Sequence, residues 1–401
     1  MTFSGMFAIG LSGVNAYATS LETVSNNIAN SQTTGFKRAQ TDFSTLVSGE
    51  KPDGGIEAGG VKASARILAS EQGAISRTNS STDLAIAGDG FFVVSKDANT
   101  SAATSEMLFT RSGGFSLQAN GDLMNEAGFL LRGASVGADG AAALGGIESL
   151  QTISIDPNQT LAAATENMIL AGRLNQDAPI GASLTQQFSL FDANGVSRDL
   201  AVTFTKTGAL TWAANAVFAD TFGATAANGN VVFNSAGQFD AAASSFPSAL
   251  TNGSQNVAIN FSGLTQATGA STITNAQTDG AAPGELTGVE VSENGRVTAL
   301  FSNGLRRDVF QVALANFINP EGLEDGPAST FLASPLAGNI QIDVPQTGRA
   351  GAIESSALEI STVDIGLEFT TLIETQRAYS ANTRIITAAD DMWRTLTQTA
   401  S

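Results

Sequence analysis

The sequence predicts a mainly β protein with an α-helix at each terminus and a nested, multidomain architecture: a terminal helical coiled-coil domain, a discontinuous β-domain and an inserted all-β domain. Three observations predict this class. Apolar residues recur at helical spacing only near the two ends of the 401-residue chain. Short apolar runs separated by Gly and Asn-Gly turns occupy 71–145 and return at 285–350. Between them, 146–284 keeps strand-like runs while its composition shifts to Ala, Thr, Ser, Asn and Gly.

The first element is a helix over 1–30. Phe3, Phe7, Gly10, Val14, Tyr17, Leu21, Val24 and Ile28 alternate spacings of four and three, which stacks them on one stripe. A helix of that length spans about 40–50 Å. Glu22 is the only charged residue in the first thirty, so the opposite face also suits burial. Asn26, Asn27 and Asn30 end the helix, and Gly35 follows as a residue able to take positive φ.

Residues 31–70, which include Gly54-Gly55 and Gly59-Gly60, lack sustained periodicity and are read with 351–364 as an irregular connector. Leu84–Ile86 and Phe91–Val94 flank the turn Gly88-Asp89-Gly90, a hairpin signature. Val289–Val291, Val297–Phe301 and Val309–Phe317, broken at Asn294-Gly295 and Asn303-Gly304, read as a meander. The inserted domain, 146–284, carries strand candidates at Phe188–Phe191, Leu200–Phe204 and Val257–Phe261.

The last element is a helix over 365–401. Ile365, Leu372, Tyr379, Ile386 and Trp393 recur every seven residues, with Phe369, Ala389 and Leu396 beside them. Both tyrosines of the chain and one of its two tryptophans lie on the terminal stripes. An isolated terminal helix frays without a partner, so the stripes are expected to be assembly seams, poorly ordered in a monomer and ordered in a polymer. Packing onto the protein's own core is the competing reading. Arg377 and Arg384, seven apart on the outer side of the second stripe, and Glu22 on the outer side of the first, are candidate intersubunit charges.

Composition narrows the function. Nineteen basic against thirty-seven acidic residues argue against nucleic acid and anionic membrane as partners. The absence of Cys and His removes disulfides, thiolate chemistry and the commonest general base and metal ligand, so no enzyme, metal or cofactor is expected. No apolar run reaches membrane-span length, and no basic start followed by an apolar block marks a cleaved signal. Asp192-Ala-Asn194-Gly195 and Glu321, Glu324, Asp325 lack calcium-loop spacing and read as acidic turns. Asp390-Asp391 are helical neighbours that point apart and cannot act as a catalytic pair.

The stretch Asn27-Ile-Ala-Asn30-Ser-Gln-Thr33-Thr-Gly35-Phe36-Lys37-Arg38 closely resembles the N-terminal signature of bacterial flagellar rod and hook proteins. Asp83–Phe92, Phe109–Leu117 with Asn120-Gly121, and Gln376–Asn382 leading to Ala388–Met392 agree in order and placement. The resemblance covers about 1–145 and 285–401, and no family motif is recognised between them. Thr362 stands where the family usually has Asn, and Trp393 where it has Leu. The size of the inserted segment favours the hook members over the rod members.

That resemblance implies a structural subunit of a curved tubular polymer, a universal joint between motor and filament. The terminal helices would line an inner tube, the connector and discontinuous β-domain would form the middle layer, and the inserted domain would lie outermost. Implied partners are other copies of the chain, the distal rod, the hook cap, the hook–filament junction proteins and the flagellar export apparatus. Export would proceed without signal cleavage. A rod subunit is one alternative; a secreted β-rich adhesin or carbohydrate-active protein is another, which would leave the paired terminal heptads unexplained.

Overall fold

The computed structural model describes residues 3–50, 56–97, 107–137, 139–218, 226–247, 250–252 and 255–399, with side chains described for 7–46, 59–97, 107–137, 139–218, 226–247, 250, 256–395 and 398. It is mainly β, with helices α1 (Phe3–Ala29) and α2 (Ile365–Thr399). The chain forms two compact units. One comprises Met1–Asp156, Val289–Thr298 and Asp308–Ser401; the other comprises Pro157–Gly288 and Ala299–Arg307. The division thus falls later than 146 and 284, and the second unit takes in one additional short stretch.

In the first unit, most of the segment read as irregular connector is regular. β1 (Ala39–Glu50) and β2 (Ile56–Ile67) form a long antiparallel ribbon. Gly59-Gly60, read as loop signals, belong to β2, where the pairing shifts opposite Leu46 and Val47. Gly60 has φ +110°, and a Cβ there would lie 2.1 Å from Ser12 Oγ, so this glycine allows a bulge to lie against α1. The other part of the connector is also partly sheet. Ala352–Ser355 pairs with Leu84–Ala87, and Ala357–Glu359 pairs with Ile75–Arg77.

The expected hairpin around Gly88–Gly90 is likewise corrected. Leu84–Ala87 pairs with Ala352–Ser355, while Phe91–Ser95 pairs with Met107–Thr110 and Leu314–Phe317, so the turn passes the chain from one sheet to another. Phe91, Phe109, Phe317 and Phe331 meet edge to face, with centroids 4.9–5.9 Å apart, at the centre of this unit's core. The expected meander is present, with Ala281–Val291, Arg296–Phe301 and Arg306–Val312 as successive neighbours.

The second unit contains two four-stranded sheets sharing one core. Leu200, Val202 and Phe204 alternate inward from one strand, and Trp212, Ala214, Ala216 and Phe218 from the next. Met168, Leu170, Val257 and Phe261 meet them from the other sheet, with Phe204 and Phe261 rings 5.8 Å apart.

Candidate assembly site: the terminal helices and their anchor

α1 and α2 pack antiparallel. Asn27 meets Glu368, Ser20 meets Thr375, Gly13 lies against Asn382 and Gly10 against Ile386. The face of α1 that does this is made of small residues. Gly10, Gly13, Ala16, Ser20, Thr23, Val24 and Asn27 are buried. A Cβ on Gly13 would come within 2.4 Å of Asn382 Oδ1, and one on Gly10 within 3.0 Å of Ile386 Cγ1, so glycine sets the approach of the two axes. The facing residues of α2 are Glu368, Leu372, Thr375, Tyr379, Asn382, Ile386 and Ala389, a run of alternating fours and threes.

The predicted seam on α2 is therefore partly the intrachain face, and that on α1 is displaced from it by about one residue, or 100°. Of the α1 stripe, Val24 is buried, and Val14, Tyr17, Leu21 and Ile28 are half-buried at its edge. Tyr17 turns instead to β1, its ring 5.3 Å from that of Phe43. Phe7 is 44% exposed. On α2, Leu372, Tyr379 and Ile386 are half-buried, whereas Ile365, Phe369 and Trp393 are 45–53% exposed. The side chains of Phe3 and Leu396 lie outside the described residues. Both helices are formed and paired in the single chain, contrary to the expectation of ends ordered only by polymerisation, because each supplies the other's partner. The small-residue face was overlooked in the sequence, although Gly10, Gly13, Ala16 and Ser20 carry its spacing.

The base of the pair is held by polar side chains from the family motif. Asn27 Nδ2 donates to Ala39 O and Glu368 Oε1, at 2.8 and 3.1 Å, and its Oδ1 accepts from Ala39 N at 3.0 Å. Burial raises the pKa of Glu368, opposed by the Asn27 hydrogen bond and by Arg38, 3.9 Å away. Asp364 caps α2 by accepting from Gly366 N and Leu367 N. Thr362 Oγ1 accepts from Arg38 N at 2.8 Å.

Asn30 and Thr33 bond each other, and Phe36 is half-buried. Gly35 has φ +68°, and a Cβ there would lie 2.4 Å from Ser112 N. Beside it Lys37 is fully buried. Its Nζ donates to Glu359 Oε1 at 2.5 Å and to Glu71 O. Arg111 donates to Glu359 Oε2 at 3.2 Å and to Gly88 O, and lies 5.1 Å from the centre of the Phe91 ring. Gly73 N completes the shell of Glu359. Burial, then the charge of Arg111, lowers the Lys37 pKa to about 8 against the pull of Glu359.

The three candidate charges point away from the pair. Glu22, Arg377 and Arg384 are exposed. The acidic turns have local partners. Asp192 accepts from Asn194 N and Val196 N, and Arg66 pairs with Glu321. Among the described residues no cluster of three or more His, Cys, Asp or Glu side chains is arranged to hold a metal ion, and no helix is long and apolar enough to cross a membrane.

Comparison with known proteins finds relatives that match over almost the whole chain. The flagellar hook protein FlgE of Brucella abortus is 35% identical over 405 residues, covering 96% of each chain. The chain belongs to the flagellar hook protein family. Its role is that of a structural hook subunit. FlgE of Escherichia coli is 30% identical over 97% of this hook-family chain and 98% of that one. The crystal structure of Helicobacter pylori hook protein FlgE2 covers 71% of this chain and 100% of that one, at 13% identity and a TM-score of 0.46.

Four family models divide the hook-family sequence. They are a flagella basal body rod protein model at 7–37, a flagellar hook protein FlgE/F/G D1 domain at 85–167, a flagellar basal body protein FlaE D2 domain at 163–281 and a flagellar basal body rod FlgEFG protein C-terminal model at 354–399. The match at 163–281 corrects the reading that the middle of the chain carries no family signal.

Proposed function

We propose that copies of this chain assemble through their terminal helices into a tubular polymer that curves and transmits torque as a universal joint. One observation carries the reading. Phe7 and Leu11 on α1, and Ile365, Phe369, Ile373 and Trp393 on α2, are 44–53% exposed on helices that already pack against each other through a different face. Two long helices with apolar side chains turned outward call for further helices.

In this reading the helix pair lines the tube and resists torque, the rest of the first unit forms the middle layer, and the second unit lies outermost. The sparsely charged Ser, Thr, Asn and Gln of the second unit provide exchangeable contacts that slide as the polymer bends. The role is mechanical rather than catalytic. Neighbours would be the distal rod, the hook cap and the hook–filament junction proteins, reached through the flagellar export apparatus with α1 retained.

Electron microscopy of the purified chain under salting-out conditions tests this. The full chain should form curved tubes. Leu11→Asp or Phe369→Asp should abolish them, by placing an unpaired charge in an apolar contact, while both β units still fold. Tubes of normal appearance from either variant would refute assembly through these faces.

A further inference from the structure

Glu22 is the only charge on α1, and it faces directly away from α2. At 3.6 residues per turn it lies about 200° around the helix from Ser20, which touches Thr375. Arg377 and Arg384 lie about 200° and 180° around α2 from Thr375. A pair between Glu22 and either arginine of its own chain is therefore excluded by direction. Among the described residues none of the three side chains makes an ion pair or hydrogen bond. The remaining arginine of α2, Arg394, already pairs with Asp390 at 3.0 Å.

We propose that Glu22 of one copy pairs with Arg377 of a second copy, fixing the register in which the outer face of α1 meets the outer face of α2. The inference rests on the tubular reading above. If copies are related by an axis along the helices, every α1 runs one way and every α2 the other, so any contact between the two is antiparallel. Setting Glu22 opposite Arg377 brings Phe7 opposite Met392, which are 44% and 46% exposed. It also brings Ala18 opposite Ala381, two small exposed residues that permit close approach. Opposite charges and apolar ends then coincide in one register. Setting Glu22 opposite Arg384 would bring Phe7 to Thr399, near the end of α2, and lose the apolar match.

Polymerisation of the full chain, followed by sedimentation at fixed ionic strength, tests the pair. Glu22→Arg and Arg377→Glu should each raise the critical concentration about tenfold or more. Both sites are exposed in the single chain, so circular dichroism should show each variant folded. Combining the two changes in one chain should restore the wild-type value. An equimolar mixture of the two single variants should also copolymerise, because each chain then offers what its neighbour lacks. Single variants that assemble like wild type would overturn the proposal, as would a double variant that rescues while the mixture does not. A wild-type chain that forms no polymer would instead overturn the tubular reading, and this pair with it.

Discussion

Glu359 gathers three donors into one fully buried carboxylate: Lys37, Arg111 and the Gly73 N–H. The cluster joins the end of the family motif to strands far along the chain, with Glu359 lying 322 positions after Lys37 and 248 after Arg111. Lys37 and Arg111 could be picked out of the sequence because they lie in motifs. Glu359 could not, since nothing local distinguishes a buried acid from an exposed one. The buried lysine gives a pH dependence. Its folded pKa of about 8 lies below the ordinary value of 10.5. Between those pH values the unfolded chain holds a proton that the folded chain has released, so this group makes stability rise with pH across the window. Denaturation midpoints measured from pH 8 to 10.5 should show that rise, and Lys37→Met should remove its contribution. A slope unchanged by the substitution would mean that Lys37 is not the group responsible.

Among the elements, the helices were legible and their mutual face was not. Large apolar residues mark a stripe in the sequence, but the closest contact goes to the residues that allow the nearest approach, and on α1 these are Gly10, Gly13, Ala16 and Ser20. Gly13→Val should therefore overpack the contact with Asn382 and destabilise the helix pair by about 1–3 kcal/mol. Hydrogen exchange should show the loss as faster exchange in α1 and α2 with the sandwich unaffected, and unchanged protection would refute a glycine-set approach. The β1–β2 ribbon was hidden for a related reason. Its face against α1 needs glycine at Gly60, and Phe43 and Leu46 remain 47% and 43% exposed, so burial never imposed the alternation that identifies strands.

For the whole molecule, the nested order was legible because helical and strand-like periodicities change at the joins. The join at Asp156–Pro157 was missed by about ten residues, since Ile153 and Ile155 are buried in the first unit beyond a stretch of Gly and Ala that reads as a boundary. Separate cores predict separate unfolding. Trp212 is buried in the sandwich, whereas Trp393 is 53% exposed on α2, and these are the two tryptophans of the chain. In a Trp393→Phe chain, fluorescence should follow the second unit alone, and calorimetry should resolve a further transition for the first. One coincident transition by both methods would show that the two units unfold together.

Both helices meet the β part of the first unit at the same end, where Asn27, Arg38, Thr362 and Glu368 interlock. Mechanically the pair is a beam clamped at its root and braced along α1 by the β1–β2 ribbon as far as Ser12, whose Oγ accepts from Val61 N. A sideways load at the free end bends the overhang most where the bracing stops and least at the tip. Directional hydrogen bonds hold the root and the ribbon backs the span, so only the last few turns are unsupported. The compliant end is then the tip, around Phe7 and Met392, where a neighbouring beam could brace it.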